Sequence, residues 1–294
     1  MADKPTLYSG PMVRALLAGR KTQTRRILNK PTWAQEEGWP ERVMNEQDLD
    51  GTLGWFDRHT GCLAKLPIRQ PGDRLWVKET WADVNHMGAP AIAYQADGHL
   101  FDLMDDPTFR QANGAMNYAD ERLSFGKGNL AFAVWMDDLL KGVEGNWRPS
   151  IFMPRWVSRL TQDVTDVRIQ RLQDISEEDA IAEGVEAHPS MARPGRHVYR
   201  DYAVDCDDPF EWFSQARDSF RTLWDSLNAQ PKPRYVTMPD GKRIIDHYVS
   251  YPWDGEERIE AYRGRPHYVF PNPWVMAVTF TNRRGNIDGL APAE

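Results

Sequence analysis

The apolar segments of this 294-residue chain are short, and this limits the folds that the chain can adopt. Five of them have the spacing or composition of strands: PGDRLWVKETW (71–81), AIAYQA (91–96), LAFAVWM (130–136), SRLTQDVTDVRIQRLQDI (158–175) and NPWVMAVTFTNR (272–283). Turn-forming residues separate them, as Pro71, Gly72 and Asp73 do at the start of the first. Strands and helices do not alternate along the chain, so a parallel, doubly wound sheet is not expected.

Three segments have helical patterns: residues 10–18, 176–183 and 209–228. Ser9 precedes the first helix as an N-cap, and Gly19 allows a left-handed end after it. Ser176 caps the second helix, which Gly184 ends. The third helix is amphipathic and is the longest of the three.

The remaining segments have little periodicity. Residues 147–156 (WRPSIFMPRW) contain two prolines and two tryptophans, which predicts an ordered aromatic loop. Residues 187–208 have no regular pattern. Residues 229–273 hold seven of the 21 prolines and many charges, which predicts an extended arm or loop.

These patterns predict an α+β, mainly β fold, namely a small and mostly antiparallel β-barrel with helices at its edge. The terminal strands are expected to pair and so to close the barrel. We interpret residues 1–294 as one domain that carries insertions at about 30–65, 85–146, 187–208 and 229–271.

The composition is that of a globular protein, with 41% hydrophobic and 27% charged residues. The formal net charge of −7 argues against a protein that coats nucleic acid, because such binding needs many cations. The first 30 residues nevertheless carry seven Lys and Arg against one Asp, a local balance of +6. A basic site on an acidic body suits one anionic or polar ligand, or a short nucleic-acid contact.

The sequence also bears on location. No apolar run approaches the roughly 20 residues that a membrane span requires, so no membrane partner is expected. The first ten residues, MADKPTLYSG, lack the pattern of a signal peptide. Cys62 and Cys206 are the only cysteines, too few for a disulfide framework. These features predict a cytoplasmic protein and leave its oligomeric state open.

Several common site motifs are missing from the sequence. It contains no G-x-S-x-G, no G-x-x-x-x-G-K-[ST] and no G-x-G-x-x-G. His59 and Cys62 have the spacing of two metal ligands, but no second pair follows at a suitable distance. We therefore expect neither a metal nor a cofactor.

The stretch AGRKTQTRR (18–26) allows two interpretations. Basic residues after a helix C-terminus favour the helix dipole and can simply stay solvated. Alternatively, burial keeps Lys21 neutral, and its amine takes the proton of the Thr24 hydroxyl. A carboxylate would then orient the lysine or protonate a leaving group, and the residues alone do not say which carboxylate.

AGRKTQTRR, PGDRLWVKETW and LQDISEEDAIAEGV (172–185) together resemble the ASCH-domain family, a branch of the PUA-like barrels. The first stretch is similar to the family's G-x-K-x-x-T-x-R motif through Gly19, Lys21, Thr24 and Arg26. The chain is longer than most members, and its extra segments resemble the insertions of the long form found in phages and prophages. The resemblance implies a PUA-like β-barrel.

One branch of this family removes acyl groups from N4-acetylcytidine and related nucleosides. The resemblance to that branch implies an amidohydrolase acting on a small nucleoside substrate, with Lys21, Thr24 and Glu183 as its catalytic residues. Thr24 Oγ, or a water that it holds, would attack the acyl amide, with Lys21 as proton acceptor. The expected substrate-binding residues are Arg25, Arg26, Arg155 and Trp156.

Two other functions fit the same residues. The resemblance also allows a module that binds single-stranded RNA or DNA, in some members with nuclease action, through the same lysine, arginines and tryptophans. The third possibility is an interaction protein without catalysis, which would use residues 229–273 as its partner surface.

Overall fold

A computed structural model describes four long stretches of the chain, residues 3–28, 69–105, 132–204 and 208–290. It also describes the backbone of residues 54–56, 63–65, 123–124 and 129–130. His59, Cys62, Cys206 and most of the predicted insertion at 30–65 lie outside the described residues.

The described helices are α1 (Gly10–Leu17), α2 (Met136–Lys141), α3 (Glu177–Ala182) and α4 (Ala216–Asn228). The first nine strands are β1 (Asp3–Leu7), β2 (Gln23–Ile27), β3 (Gly54–Phe56), β4 (Leu63–Lys65), β5 (Arg74–Lys78), β6 (Trp81–His86), β7 (Ala89–Tyr94), β8 (Leu100–Asp102) and β9 (Leu123–Ser124). The others are β10 (Asn129–Leu130), β11 (Leu160–Arg171), β12 (Ala187–Pro189), β13 (His197–Tyr199), β14 (Lys232–Thr237), β15 (Arg243–Ser250), β16 (Arg258–Tyr262), β17 (Arg265–Val269) and β18 (Trp274–Arg284). Short 3₁₀ turns lie at Leu103–Asp105, Ser150–Phe152, Arg155–Val157, Leu172–Asp174 and Pro209–Glu211.

The chain forms two compact units. The first unit consists of residues 1–19, 71–164 and 280–294. The second consists of residues 20–70 and 165–279. Strands β11 and β18 each begin in one unit and end in the other.

In the first unit, β1 pairs in parallel with β5, and β5 pairs antiparallel with β11. Strands β6, β7 and β8 form a separate antiparallel meander. Its apolar side chains pack with those of the segment after α2, in a cluster that contains Trp81, Ile92, Tyr94, Leu103, Met153 and Val157. Burial of these large side chains is the main stabilising contribution to this part of the fold.

In the second unit, β2 pairs antiparallel with β18, and Leu172 N donates to Pro273 O where β11 ends. Helices α3 and α4 pack against each other. Strands β14, β15, β17 and β16 form a four-stranded sheet in that order, and β12 and β13 form a short hairpin.

The mainly β, α+β class predicted from the sequence is confirmed. Helix α1 ends at Leu17, and Gly19 adopts the predicted left-handed conformation just after it, with φ of +70°. The segment at 158–175, predicted as one long strand or a strand pair, contains one continuous strand, β11. Within the described ranges the strands form open sheets, and the predicted closed barrel is not among them. No helix in the described part of the chain has the length and apolar composition needed to cross a membrane.

Four segment predictions are wrong. Residues 187–208, for which no regular structure was predicted, contain the antiparallel pair β12 and β13. Residues 229–273 form most of a four-stranded sheet instead of an arm, because their prolines lie at strand ends, at edges and in turns, where a missing N–H is tolerated. Met136 begins α2 and does not end a strand. Helix α4 begins at Ala216, later than predicted, because the Glu177 carboxylate accepts hydrogen bonds from Ala216 N and Arg217 N.

Candidate active site

Helix α3 places two carboxylates side by side in the second unit. The Ser176 hydroxyl accepts a hydrogen bond from Asp179 N at 3.1 Å and so caps the helix. Gly184, with φ of +87°, ends it in a conformation that glycine adopts without strain. Asp179 and the C-cap residue Glu183 are four residues apart, so their side chains lie on the same face of the helix.

Strand β2 faces these carboxylates with every second side chain. Successive residues of a strand point to opposite faces, and Gln23 and Arg25 both contact Asp179. The same alternation directs Thr24 to the other face, where it is 6% exposed and its ladder partner is Val278. Thr22 N donates to Ala182 O at 2.8 Å, which fixes the segment before β2 against the end of α3.

Lys21 and Glu183 form a direct contact although 162 residues separate them in the chain. Lys21 Nζ donates to Glu183 Oε2 at 2.8 Å and to the backbone oxygen of Glu183 at 2.8 Å. The two side chains are only 2% and 5% exposed. The cation also lies at the C-terminus of α3, where the helix dipole favours positive charge.

Arg25 holds both carboxylates of α3. Its Nη2 donates to Asp179 Oδ2 at 2.7 Å and its Nη1 to Glu183 Oε1 at 3.1 Å. Its side chain is completely buried, and its guanidinium carbon lies 5.8 Å from the centre of the Phe220 ring. Because its planar fork bridges two carboxylates, Arg25 orients Glu183 toward Lys21.

Asp179 is the anchor of this arrangement. Burial raises the pKa of its carboxyl group, but hydrogen bonds from Arg168 and Gln23, with the charge of Arg25, outweigh burial and hold the pKa below its ordinary value. Arg168 Nη2 lies 2.9 and 3.0 Å from the two carboxylate oxygens. Asp179 therefore stays ionised and keeps Arg25 in place.

We call Lys21, Gln23, Arg25, Asp179 and Glu183 the Lys21 cluster. Its two cations balance its two carboxylates. Of the two cations, arginine keeps its proton under all ordinary conditions, whereas lysine can release one. The Lys21–Glu183 hydrogen bond is therefore the place in the cluster where a proton can move, and the rest of the cluster fixes its geometry.

The other predicted site residues lie elsewhere. Arg26 follows on β2, with Met276 as its ladder partner, on the same face of the strand as Thr24. In the first unit, Arg155 forms ion pairs with Asp3 at 2.5 Å and with Asp288 at 2.6 Å. Trp156 is half-buried against the cluster around Trp81. These contacts within the first unit account for both Arg155 and Trp156.

Asp179, Gln23 and Arg168 contribute contacts to the site that were not predicted from the sequence. The position of Asp179, four residues before Glu183, was the available signal that both face one partner. No pattern in the sequence indicates Arg168. Among the described residues, no group of three or more His, Cys, Asp or Glu side chains is arranged to hold a metal ion.

Comparison with protein-family models, with curated proteins and with solved structures gives no match to this chain.

Proposed function

We propose that this protein is an amidohydrolase that removes acyl groups from N4-acylated cytosine nucleosides such as N4-acetylcytidine. The observation that carries the proposal is the buried contact between Lys21 and Glu183, at 2.8 Å. The first residue comes from the G-x-K-x-x-T-x-R motif and the second from the short helix, the two motifs whose resemblance suggested this activity. We also propose a PUA-like fold and a cytoplasmic location, on the resemblance and the composition alone.

The proton between Lys21 Nζ and Glu183 Oε2 gives the pair its chemistry. Its transfer from nitrogen to oxygen leaves a neutral amine, which can accept a proton, and a carboxylic acid, which can donate one. A base and an acid are then generated together, 2.8 Å apart. The pair suits amide cleavage, in which a nucleophile loses a proton and a leaving amine gains one.

In the proposed reaction the Thr24 hydroxyl attacks the acyl carbonyl carbon while the Lys21 amine takes its proton. The C–N4 bond then breaks, and the Glu183 carboxyl group protonates the departing amino group of cytosine. Water hydrolyses the resulting acyl-threonine ester, so that one water is consumed and one carboxylic acid and one cytidine are released. Arg26 lies two residues from Thr24 on the same face of β2 and is proposed as a donor to the developing oxyanion.

Thr24 is the part of the proposal that mutation tests most sharply. Its side chain and those of Gln23 and Arg25 are directed to opposite faces of β2. A nucleophilic role requires the Thr24 hydroxyl to reach the same acyl group as Lys21. Because Lys21 precedes β2, the alternation of side chains along that strand does not fix which face Lys21 is on. Thr24→Ala should abolish turnover, whereas Thr24→Ser should retain part of it.

The burial of Arg25 argues against phosphate binding by this residue, and so against nucleic-acid binding at this motif. A phosphate-binding role for Arg25 needs an accessible guanidinium, but this guanidinium is fully buried and bound to Asp179 and Glu183. In the proposed enzyme Arg25 is a positioning residue that orients Glu183.

The test is to incubate the purified chain with N4-acetylcytidine and to measure cytidine by liquid chromatography. Lys21→Arg, which keeps the charge, and Glu183→Gln, which keeps the shape, should each lower kcat strongly. Glu178→Gln is the matched control, because Glu178 is an exposed residue of the same helix. Absence of cytidine at high enzyme concentration, or full activity in both site variants, would overturn the proposal.

A further inference from the structure

A cavity of about 520 Å³ lies along one side of α4 in the second unit. Four residues that line it share one strip of the helix surface, since at about 100° per residue they lie within about 60° of one another. They are Asp218, Thr222, Asp225 and the C-cap residue Ala229. Phe220, on the opposite side of α4, is 4% exposed. The cavity therefore lies on the side of α4 that the core does not use, and its volume is in the usual range of small-molecule sites.

The second wall of the cavity comes from the segment before α4 and is aromatic. It includes Tyr202 and Phe213. Tyr202 N donates to Thr222 Oγ1 at 3.0 Å, which ties this wall to the helix. The backbones of Phe213 and Tyr199 exchange two hydrogen bonds, at 2.7 and 2.8 Å. Both aromatic residues are thus fixed at the backbone and give the cavity an apolar side.

The two carboxylates of the cavity lack a cation. Within the described residues, neither Asp218 nor Asp225 forms an ion pair. Arg221 also lines the cavity, but it lies outside the strip and binds Asp254 at 3.0 Å. Burial raises the pKa of the Asp225 carboxyl group, and the hydrogen bond from Trp253 N and the charge of Arg221 oppose this only in part. A cationic ligand would supply the charge that this carboxylate lacks.

The spacing of the two carboxylates defines the length of such a ligand. Asp218 and Asp225 are seven residues apart, which corresponds to about 10.5 Å along a helix. An extended aliphatic chain advances about 1.25 Å per bond, so the nine bonds between the nitrogens of 1,8-diaminooctane span about 11 Å. The five bonds of 1,4-diaminobutane span only about 6 Å. The longer diamine can therefore reach both carboxylates at once, whereas the shorter diamine or a monoamine reaches one.

We propose that this cavity binds a linear aliphatic diamine or polyamine. One terminal ammonium group lies on Asp225 and the other on Asp218, and the methylene chain between them packs against Tyr202 and Phe213. The cavity contains no residue of the Lys21 cluster, so the inference goes beyond the proposed function and does not depend on it.

The test is isothermal titration calorimetry of the full chain at low salt with three probes, namely 1,8-diaminooctane, 1,4-diaminobutane and n-octylamine. Because a hydrogen bond to a charged group contributes about tenfold or more in affinity, 1,8-diaminooctane should bind about tenfold or more tightly than either of the others. The comparison with 1,4-diaminobutane holds the charge constant, and the comparison with n-octylamine holds the chain length constant. This series uses the wild-type chain alone and requires no variant to fold.

The variants Asp218→Asn and Asp225→Asn locate the site. Each should weaken binding of 1,8-diaminooctane about tenfold and remove its advantage over n-octylamine, because one ammonium group then has no carboxylate. Asparagine at 225 still offers an oxygen to Trp253 N, and Asp218 is exposed, so both variants should keep the fold, as thermal denaturation will show. The matched control is Asp240→Asn, which removes an exposed carboxylate of the same unit outside the cavity and should leave affinity unchanged.

Three results would overturn the inference: no binding of 1,8-diaminooctane at about 1 mM, equal affinity for the three probes, or equal weakening by Asp240→Asn and the two cavity variants. Calorimetry measures binding without turnover, so these results are independent of whether the chain hydrolyses N4-acetylcytidine. Diamine binding without hydrolysis would reject the amidohydrolase proposal alone, and hydrolysis without diamine binding would reject this inference alone.

Discussion

Each unit contains an ionic cluster in which one arginine holds two carboxylates. In the first unit, Arg159 donates two hydrogen bonds of 2.9 Å to Glu79 and two of 2.9 Å to Asp97. Its guanidinium lies 4.1 Å from the centre of the Tyr94 ring. In the second unit, Arg25 holds Asp179 and Glu183 in the corresponding way. We call the first group the Arg159 cluster.

The two clusters differ in their ionisable groups. The Arg159 cluster contains a guanidinium and carboxylates, whereas the Lys21 cluster adds a lysine ammonium to the carboxylate that the arginine fixes. A guanidinium cannot give up its proton, so the Arg159 cluster can only hold its partners. A lysine can exchange a proton with the carboxylate that it touches, so the Lys21 cluster can take part in acid–base chemistry. One side chain thus separates a structural cluster from a candidate catalytic one.

The electrostatics of the first unit agree with a structural role. Burial raises the pKa of Glu79, and the hydrogen bonds and charge of Arg159 oppose it only in part. Burial also raises the pKa of the Tyr94 hydroxyl, which donates to Val157 O at 2.7 Å and so remains protonated. Glu79 is 1% exposed, which leaves Arg159 as its main source of compensation.

The largest predicted effect comes from exchanging the cation in each cluster. Lys21→Arg keeps the charge but removes the group that accepts a proton, and we expect kcat for N4-acetylcytidine to fall about 10²- to 10⁴-fold. The reverse exchange, Arg159→Lys, should lower stability and leave kcat of the folded protein unchanged. Steady-state kinetics with thermal denaturation separates the two results. If the Lys21→Arg variant kept the kcat of the wild type, the proposed catalytic difference between the two clusters would be contradicted.

The next effect is on stability in the first unit. Arg159→Met leaves the buried Glu79 carboxylate without its cation, and removing one partner of a buried ion pair in this way costs about 3–5 kcal/mol, whereas the exposed Asp97 adds little. The free energy of unfolding, measured in urea, should fall by that amount. Arg265→Met, at an exposed site, should change it by less than about 0.5 kcal/mol and serves as the control. Equal effects from the two variants would contradict the structural role of the Arg159 cluster.

A smaller effect concerns the cap of α3. Ser176→Ala removes the acceptor of Asp179 N and should lower the free energy of unfolding by about 1 kcal/mol. Because α3 carries both carboxylates of the Lys21 cluster, kcat should fall as well. Ser176→Asp retains an acceptor and should restore most of both quantities. Unchanged stability in Ser176→Ala would show that the cap does not hold the helix.

The smallest effect is a pH dependence in the second unit. The pKa of Asp179 is lowered in the folded chain, so its contribution to stability is present above its unfolded value and is lost as the pH falls below about 4. Asp179→Asn should therefore flatten the decline of the unfolding free energy in acid. Glu178→Gln, on the exposed side of the same helix, should leave that decline as it is in the wild type. If the unfolding free energy of Asp179→Asn declined in acid as steeply as that of the wild type, the ion pairs assigned to Asp179 would be contradicted.

Local signals predicted much of the fold. Ser176 and Gly184 bound α3 as predicted, and Gly19 ends α1 as predicted, because caps and left-handed glycines act over a few residues. The start of α4 was predicted too early, since it depends on the Glu177 carboxylate about 40 residues away. The sheet at 232–269 was missed because the prolines obscured four short strands whose pairing is set by tertiary contacts.

The site was predictable only in part. The motif resemblance paired Lys21 with Glu183, and the two are in contact across 162 residues, which no local pattern indicates. Their catalytic role stays a prediction. The roles of Arg25 and Asp179 were missed, because the sequence cannot show which side of β2 meets α3 before the register with β18 is known.

The central claim is that Lys21 and Glu183 act as one unit in catalysis. A double-mutant cycle on kcat/KM for N4-acetylcytidine, with Lys21→Arg, Glu183→Gln and the double variant, tests it most directly. We predict strong non-additivity: kcat/KM of the double variant should be close to that of the less active single variant, because either change already removes the shared proton. Independent reductions that multiply in the double variant would contradict it.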